Sequence, residues 1–141
     1  KHLRFDQLFD VRAVRIIVDT VERCYQVLSI VHENFPVISK EYDDYIAKPK
    51  PNGYRSYHMI VETPVFFSEG KEFLKVEVQL RTIAMDFWAS LEHQLRYKKD
   101  FDFTEEMAKE LQDCADLSAQ LDARMDSLRE HVESENTYEV E

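Results

Sequence analysis

The chain has 141 residues, of which 44% are hydrophobic, so it is long enough for one domain with a real core and too short for two ordinary ones. Its two glycines exclude the glycine-rich loops of P-loop and dinucleotide-binding proteins, so Lys and Arg side chains or a metal would have to hold any phosphate. The net charge of −10 comes from the C-terminal end, because residues 1–99 carry 15 basic and 14 acidic residues, whereas residues 100–141 carry 3 basic and 14 acidic ones. The nearly neutral part before residue 100 lacks the basic face of a duplex-DNA-binding protein.

The first predicted elements are a β-strand and the helix that follows it. The segment "FDVRAVRIIV" ends in a β-branched run, which predicts a strand over residues 11–18. Apolar residues then recur every three or four positions up to Pro36, which predicts a helix with one buried face. That face consists of Val21, Cys24, Leu28, Val31 and Phe35.

Two further strands are predicted in the middle of the chain. Residues 36–56 hold three of the four prolines and predict a loop with short extended pieces. A strand follows from His58 to Phe67, interrupted at Pro64, and "SEGK" predicts a turn into the next strand. In that strand Leu74, Val76, Val78 and Leu80 should face the core, while the opposite face carries Lys75, Glu77, Gln79 and Arg81.

Two helices complete the predicted fold. Thr82 suits the N-cap of a helix that continues to about Tyr97, and a second helix is predicted over residues 104–132. The apolar stripe of the first consists of Ala84, Trp88, Leu91 and Leu95, and that of the second of Leu111, Cys114, Leu117, Leu121, Met125, Leu128 and Val132. We therefore expect an α/β (α+β) fold, a small mixed sheet flanked by helices with a long C-terminal helix.

Cysteine usage and hydropathy predict the cellular compartment. Cys24 and Cys114 each lie on a predicted apolar stripe, so we expect buried free thiols, which suit a reducing cytoplasm. No apolar run approaches the roughly 18 residues of a membrane span, and no signal peptide is visible. We therefore expect a cytoplasmic protein without a membrane partner. Because the chain begins with Lys1 and runs almost at once into a strand, we also expect further residues upstream.

The segment "KPKPNGYRSYH", Lys48 to His58, has the composition of a mononucleotide site. A turn at Asn-Gly would expose the ring of Tyr54 as a platform for a nucleobase, and the neighbouring cations would suit phosphates. The simpler alternative is a packed loop tyrosine among solvated lysines, with His58 as a satisfied strand histidine. Glu92, on the helix after Thr82, is an exposed residue by default.

Two carboxylates are candidates for a metal site. Asp10 stands at the mouth of the first strand, and Glu77 belongs to the polar face of the third. Mg²⁺ prefers oxygen ligands, keeps several waters and uses one or two protein carboxylates together with substrate phosphates. The alternatives are a surface or capping role for Asp10 and a merely solvated sheet face for Glu77.

Three segments together resemble a known family. "FDVRAVRIIV", "DDYIAKPKPNGYRSYH" and "VEVQLRTIAMDFWASLEHQLRYK" are similar to the synthetase domain of the alarmone (Rel/Spo) enzymes, and "RTIAMDFWASLEH" most resembles the small alarmone synthetases. The resemblance covers about residues 3–100. It implies a nucleotidyltransferase-like mixed sheet and transfer of the β,γ-pyrophosphate of ATP to the 3′-hydroxyl of GDP or GTP, the reaction of stringent-response signalling.

The resemblance also implies roles for individual residues. Asp10 would bind Mg²⁺, and Glu77 would bind it or help to activate the 3′-hydroxyl. Tyr54 would stack on guanine, and Arg15 would face the phosphates of ATP. The other residues around the acceptor nucleotide would be Lys48, Lys50, His58, Gln79 and Glu92.

The same resemblance divides the chain into two parts. Residues 1–100 would form the catalytic domain, whose N-terminal helices and further ATP-binding cations lie upstream of the first strand. Residues 101–141 would be an acidic helical segment for self-association, as in homotetrameric small synthetases. Two rival functions remain at this point: pyrophosphate transfer to the 3′ end of tRNA, and a non-catalytic nucleotide-sensing oligomerisation module.

Overall fold

The computed structural model describes residues 12–139, without the side chains of residues 38–41 and 136–139. Within that range we number the strands and helices in chain order. They are β1 (Ala13–Val18), α1 (Val21–Asn34), β2 (Val37–Asp44), β3 (Tyr57–Phe67), β4 (Gly70–Thr82), α2 (Ile83–Tyr97) and α3 (Glu105–Glu139). The strands form one sheet in the order β1-β4-β3-β2, in which β1 runs parallel to β4 and the other neighbours are antiparallel. The predicted α/β (α+β) fold with a mixed sheet and a long C-terminal helix is therefore confirmed.

One face of the sheet forms the main core together with α1. The alternation predicted for β4 is confirmed, because Leu74, Val78 and Leu80 are buried on this face. Their packing partners come from β3 and α1, and the buried members of this core are Cys24, Val31, Tyr57, Met59, Val61, Val78 and Leu80. Burial, with smaller contributions from Asp122 and Asp126, raises the pKa of the Cys24 thiol to about 12, so it stays neutral.

Threonine N-caps fix where two of the helices begin. The amide of Arg23 donates to Thr20 Oγ1 at 3.2 Å, and the amide of Met85 donates to Thr82 Oγ1 at 3.2 Å. Each bond satisfies an amide that has no partner within its own helix. Because Thr82 is also the last residue of β4, α2 leaves the sheet without an intervening loop.

A second, smaller core joins α2 to α3. It consists of Trp88, Ala89, Leu111 and Ala115, and the indole Nε1 of Trp88 donates to the carbonyl of Leu111 at 2.6 Å. Because the side chain of Ala115 is small, α3 can lie close to the backbone at Gly53. The C-terminal helix thus packs on the domain through this core and, further along, through the buried Asp122, and it continues to Glu139.

Two expectations about the strands were wrong. Residues 37–44, within the predicted loop, form β2, an edge strand whose pairing with β3 shifts register between Val37 and Tyr42. This irregular strand has no apolar alternation to mark it in the sequence. β3 also runs without a break through Pro64, because β2 pairs only as far as Val61 and the proline therefore needs no amide hydrogen bond on that side.

The predicted helix stripes differ from the buried faces. On α2 the buried residues are Met85, Trp88 and Ala89, while Leu91 is exposed. On α3 only Leu111 of the predicted stripe is buried, and Cys114, expected to be buried, is exposed. The reason is that α3 turns its small and polar residues inward, including Ala115 and the buried Asp122.

The part of the chain that the structure describes contains no helix long and apolar enough to cross a membrane.

Candidate active site

The face of the sheet opposite α1 carries the candidate site. Gln79 of β4 lies opposite Arg15 of β1 and His58 of β3, and His58 lies opposite Asp43 of β2. Residues directly opposite in neighbouring strands share a face, so these four form one polar row across the sheet. Glu77 stands two residues from Gln79 on the same face.

The loop between β2 and β3, residues 45–56, is folded by local hydrogen bonds. We call it the tyrosine loop. Asp44 Oδ1 accepts from the amides of Ile46 and Ala47 at 3.0 and 2.9 Å, which starts the loop. The amide of Tyr54 donates to Asn52 Oδ1 at 3.0 Å, and Gly53 has φ of +101°, a conformation that suits glycine. These contacts direct the chain so that Tyr54 reaches the polar row.

Tyr54, His58 and Arg81 form the centre of a hydrogen-bond network. Arg81 Nη2 donates to the Tyr54 hydroxyl, whose oxygen lies 2.8 Å from His58 Nε2. Because the hydroxyl accepts from Arg81, its proton is available for His58 Nε2. A neutral His58 then carries its own proton on Nδ1, which faces Glu77 Oε1 at 3.9 Å.

Burial keeps His58 neutral at pH 7. It lowers the pKa of His58 below the usual 6.5; the negative charge of Glu77 opposes this shift, and the cations of Arg81 and Lys50 reinforce it. A neutral imidazole can accept from Tyr54 on one nitrogen and donate towards Glu77 from the other. The three side chains therefore hold one another in a defined order.

Glu77 borders a cavity on this face. Its Oε1 accepts from Gln79 Nε2 at 2.6 Å, and the cavity of about 330 Å³ is lined by Asp43, His58, Met59, Ile60 and Glu77. The amide of Glu77 donates to the carbonyl of Arg12 at 3.1 Å, so β1 enters the sheet beside Glu77. Asp10, two positions before Arg12 in the sequence, lies outside the described residues.

Two residues of the network, Arg81 and Asp86, were not among the predicted site residues. Asp86 Oδ1 lies 3.3 Å from Arg15 Nη1 and 3.2 Å from Arg81 Nη1. Arg15 is half-exposed, whereas Arg81 is buried. The sequence signal for Arg81 was its place in the polar alternation of β4, whereas no pattern in the sequence would have brought Asp86 to this site.

The other predicted site residues are Lys50, Lys48 and Glu92, which lie outside the hydrogen-bond network of Tyr54, His58 and Arg81. Lys50 Nζ lies 4.8 Å from the ring centroid of Tyr45 and 5.4 Å from that of Tyr54, within range of a cation–π interaction. Lys48 is exposed, and its amide donates to the Asp44 carbonyl. Arg96 Nε donates to Glu92 Oε1 at 2.6 Å. Glu92 also lines a separate cavity of about 310 Å³, together with Asn52.

Of the two predicted magnesium ligands, Glu77 lies within the described residues and Asp10 does not. Within residues 12–139 no three His, Cys, Asp or Glu side chains are grouped closely enough to hold a metal ion. Glu77 does suit Mg²⁺, because it is a partly exposed carboxylate at a cavity and both of its contacts above use the same oxygen, Oε1. The carboxylate of Glu77 therefore fits a magnesium site that it would share with a second ligand such as Asp10.

The comparison with protein families decides the identity of the chain. Residues 1–102 match a family model described as "Region found in RelA / SpoT proteins". The chain belongs to this family. The match covers the three segments that carried the sequence resemblance, which is therefore confirmed.

Individual members of the family are similar to this chain in sequence and in fold. GTP pyrophosphokinase YwaC of Bacillus subtilis (strain 168) is 40% identical over 130 residues, which cover 91% of this chain and 61% of YwaC. The crystal structure of small alarmone synthetase 2 from Bacillus subtilis matches with a TM-score of 0.78 at 41% identity, covering 84% of this chain and 65% of that one. Small alarmone synthetase 1 from the same organism, bound to its product pppGpp, matches with a TM-score of 0.77 at 35% identity, covering 86% and 62%. The chain thus spans less than two thirds of the length of each.

Proposed function

We propose that this protein is an alarmone synthetase that transfers the β,γ-pyrophosphate of ATP to the 3′-hydroxyl of GDP or GTP. The observation that carries the proposal is the network joining Tyr54, His58 and Glu77 on one face of the sheet, built from segments of the RelA/SpoT family. The solved relative that holds pppGpp, the product of such a transfer to GTP, supports the same reaction.

The acceptor guanine nucleotide binds at the tyrosine loop. Guanine stacks on the ring of Tyr54, which is half-buried and is held at its hydroxyl by Arg81 and His58. A base on that ring displaces Lys50 from it and leaves the ammonium free for the nucleotide's phosphates. Gln79 lies beside Glu77, where it orients the carboxylate.

The donor ATP lies on the β1 side of the same face. Arg15 is half-exposed and can leave Asp86 for the ATP phosphates, while the buried Arg81 keeps its place in the network. Asp10 and Glu77 would hold Mg²⁺. When bound, Mg²⁺ supplies positive charge to offset the charge that develops on the transferred group.

The chain's own residues then act by placing the 3′-hydroxyl in line. The 3′-oxygen forms a bond to the β-phosphorus of ATP, and the bond from that phosphorus to the α–β bridging oxygen breaks, so AMP leaves. The proton of the 3′-hydroxyl goes to Glu77, whose carboxylate is held by Gln79 and faces His58. Little covalent help from the protein is needed, so positioning and charge supply most of the catalysis.

The test is a product assay on the full-length protein with ATP labelled at the γ-phosphate. GDP, GTP and tRNA are offered as separate acceptors with Mg²⁺. We expect the label in a guanosine 3′-pyrophosphate, together with unlabelled AMP. Label on tRNA would favour the rival transfer reaction, and nucleotide binding without any transfer would favour a non-catalytic sensor; either result overturns the proposal.

We further propose that α3 mediates self-association with a second copy of the chain, in a tetramer. Its outward side chains are apolar and exposed, and they form with α2 a groove of about 640 Å³. The exposed residues of the stripe are Cys114, Leu117, Leu121, Met125, Leu128 and Val132. A stripe of this length on an otherwise acidic helix suits burial against an identical stripe.

Light scattering tests the self-association. We expect an oligomer for the wild type and dissociation in the variant L117E/L121E, with K109E as an exposed control on the same helix. A wild type that is monomeric at micromolar concentration would refute this proposal without touching the enzymatic one.

We also propose a cytoplasmic location. The support is chemical: Cys24 and Cys114 are both free thiols, which persist in reducing compartments. Fractionation of cells that produce the protein would test it, and recovery in a secreted fraction would contradict it.

A further inference from the structure

A buried ion pair joins the tyrosine loop to the C-terminal helix. Arg55 Nη2 lies 2.9 Å from Asp122 Oδ2, and the two side chains are only 8% and 4% exposed. Arg55 Nη2 also donates to Ser118 Oγ at 2.8 Å. A charge this deeply buried is stable only with its partner in place, so the pair fixes α3 against the residue that follows Tyr54.

The same helix touches the loop at two earlier positions. Gln112 Nε2 donates to the Pro51 carbonyl at 2.8 Å. At Gly53 a Cβ atom would come within 2.6 Å of the Cβ of Ala115, so the backbone there lies directly on α3. Contacts at Pro51, Gly53 and Arg55 therefore hold alternate residues of the loop along one side of the helix.

Asp122 also reaches the other end of the Tyr54 network. Thr82 Oγ1 donates to Asp122 Oδ2 at 2.9 Å, so one carboxylate oxygen is shared between Thr82 and Arg55. Thr82 follows Arg81, which donates to the hydroxyl of Tyr54. Asp122 thus binds the sequence neighbours of both partners in the Tyr54–Arg81 contact.

We propose that Asp122 is a positioning residue for the acceptor nucleotide: by fixing Arg55 and Thr82 together, it sets the place of the Tyr54 ring from a helix that lies outside the family-matched segment. This inference rests on the proposed function for its substrate, a guanine nucleotide that stacks on Tyr54. It gives α3 a part in the active site besides its proposed part in self-association. The residue acts through others and does not touch the nucleotide.

The test compares D122N with the control D116N in the full-length protein. Asn keeps the shape of Asp and removes its charge, while Asp116 is an exposed residue of the same helix. For D122N we expect the KM for GDP to rise about tenfold, because a displaced Tyr54 ring loses part of its stacking on guanine, with the KM for ATP changed less than about twofold. Hydrogen exchange of the amides in residues 45–56 should be faster than in D116N.

A second variant covers the case in which D122N does not fold. R55K keeps the positive charge but loses the planar guanidinium whose Nη2 bonds both Ser118 and Asp122, so it should raise the KM for GDP in the same direction by a smaller factor. A merely structural pair would lower thermal stability in both variants and leave the two KM values unchanged at temperatures where the protein is folded. That result overturns the proposal, as does an equal rise in both KM values.

The two proposals can fail separately. If the wild type makes no guanosine 3′-pyrophosphate, the proposed function fails, and loop exchange in D122N still reports whether Asp122 positions the tyrosine loop. If the wild type is active and loop exchange in D122N equals that in D116N, the positioning role alone fails.

Discussion

The two faces of the sheet divide the work of this domain. The face against α1 is apolar, and Met59, Val78 and Leu80 are buried there. On the other face, residues of the same strands, such as His58 and Gln79, carry polar groups bound to one another. Because side chains alternate along a strand, residues 57–61 of β3 and 77–81 of β4 belong by turns to the core and to the site.

The comparison also shows where rigidity in the site comes from. The apolar face is held by packing, which tolerates apolar side chains of similar volume. The polar face is held by directed contacts from Arg81 to Tyr54 and Asp86, and each contact needs its partner. Substitutions on the first face should therefore act mainly on the free energy of unfolding, and substitutions on the second should act mainly on kinetics.

The largest effect on stability is expected from L80A. Leu80 is fully buried in the core against α1, so its truncation should lower the free energy of unfolding by about 2–5 kcal/mol. Urea titration measures this loss, and the folded fraction at low temperature should keep its turnover rate. A loss of activity in a variant that stays fully folded would break the division between the faces.

A smaller effect, on binding alone, is expected from Y54A. Loss of the stacking platform should weaken binding of the guanine nucleotide by about 1–3 kcal/mol, with less effect on the concentration dependence for ATP. The control Y54F keeps the ring and loses the hydroxyl. Varying each substrate in turn separates the two cases, and an effect confined to ATP would place Tyr54 on the donor side.

The smallest effect is a pH dependence of stability due to His58. Its pKa is lowered in the folded protein by burial, and in the unfolded chain it is about 6.5. Between these two values the unfolded chain binds more protons, so acidification from pH 6.5 downward should destabilise the fold, with no such contribution above pH 6.5. Thermal denaturation of H58Q against the exposed control H32Q measures it; identical pH profiles would contradict the assignment.

Local patterns predicted the elements that depend on neighbours in sequence. The alternation of β4, the cap at Thr82 and the spacing in α1 each involve residues a few positions apart, so they are visible without the fold. The tyrosine loop was recognised by its composition and by the family resemblance. β2 was missed because backbone pairing, rather than side-chain alternation, holds this edge strand.

Contacts between distant segments could not be predicted in this way. Arg55 and Asp122 are separated by 67 positions, and neither stands in a motif with the other. Arg81 resembled a solvated residue of a polar face until Asp86 and Tyr54 were brought around it. The apolar stripe of α3 is visible in the sequence, but which side of the helix meets the domain depends on the close approach of Ala115 to Gly53.

The most direct test of the account uses two adjacent residues of β4, Glu77 on the polar face and Val78 on the apolar face. The measurement compares two quantities in E77Q and V78A, each relative to wild type: the turnover number and the free energy of unfolding. We expect E77Q to lose about 100-fold or more in turnover with its stability retained, and V78A to lose about 2 kcal/mol of stability with its turnover retained in the folded state. Near wild-type turnover in E77Q, or equal losses of both quantities in the two variants, would contradict the account.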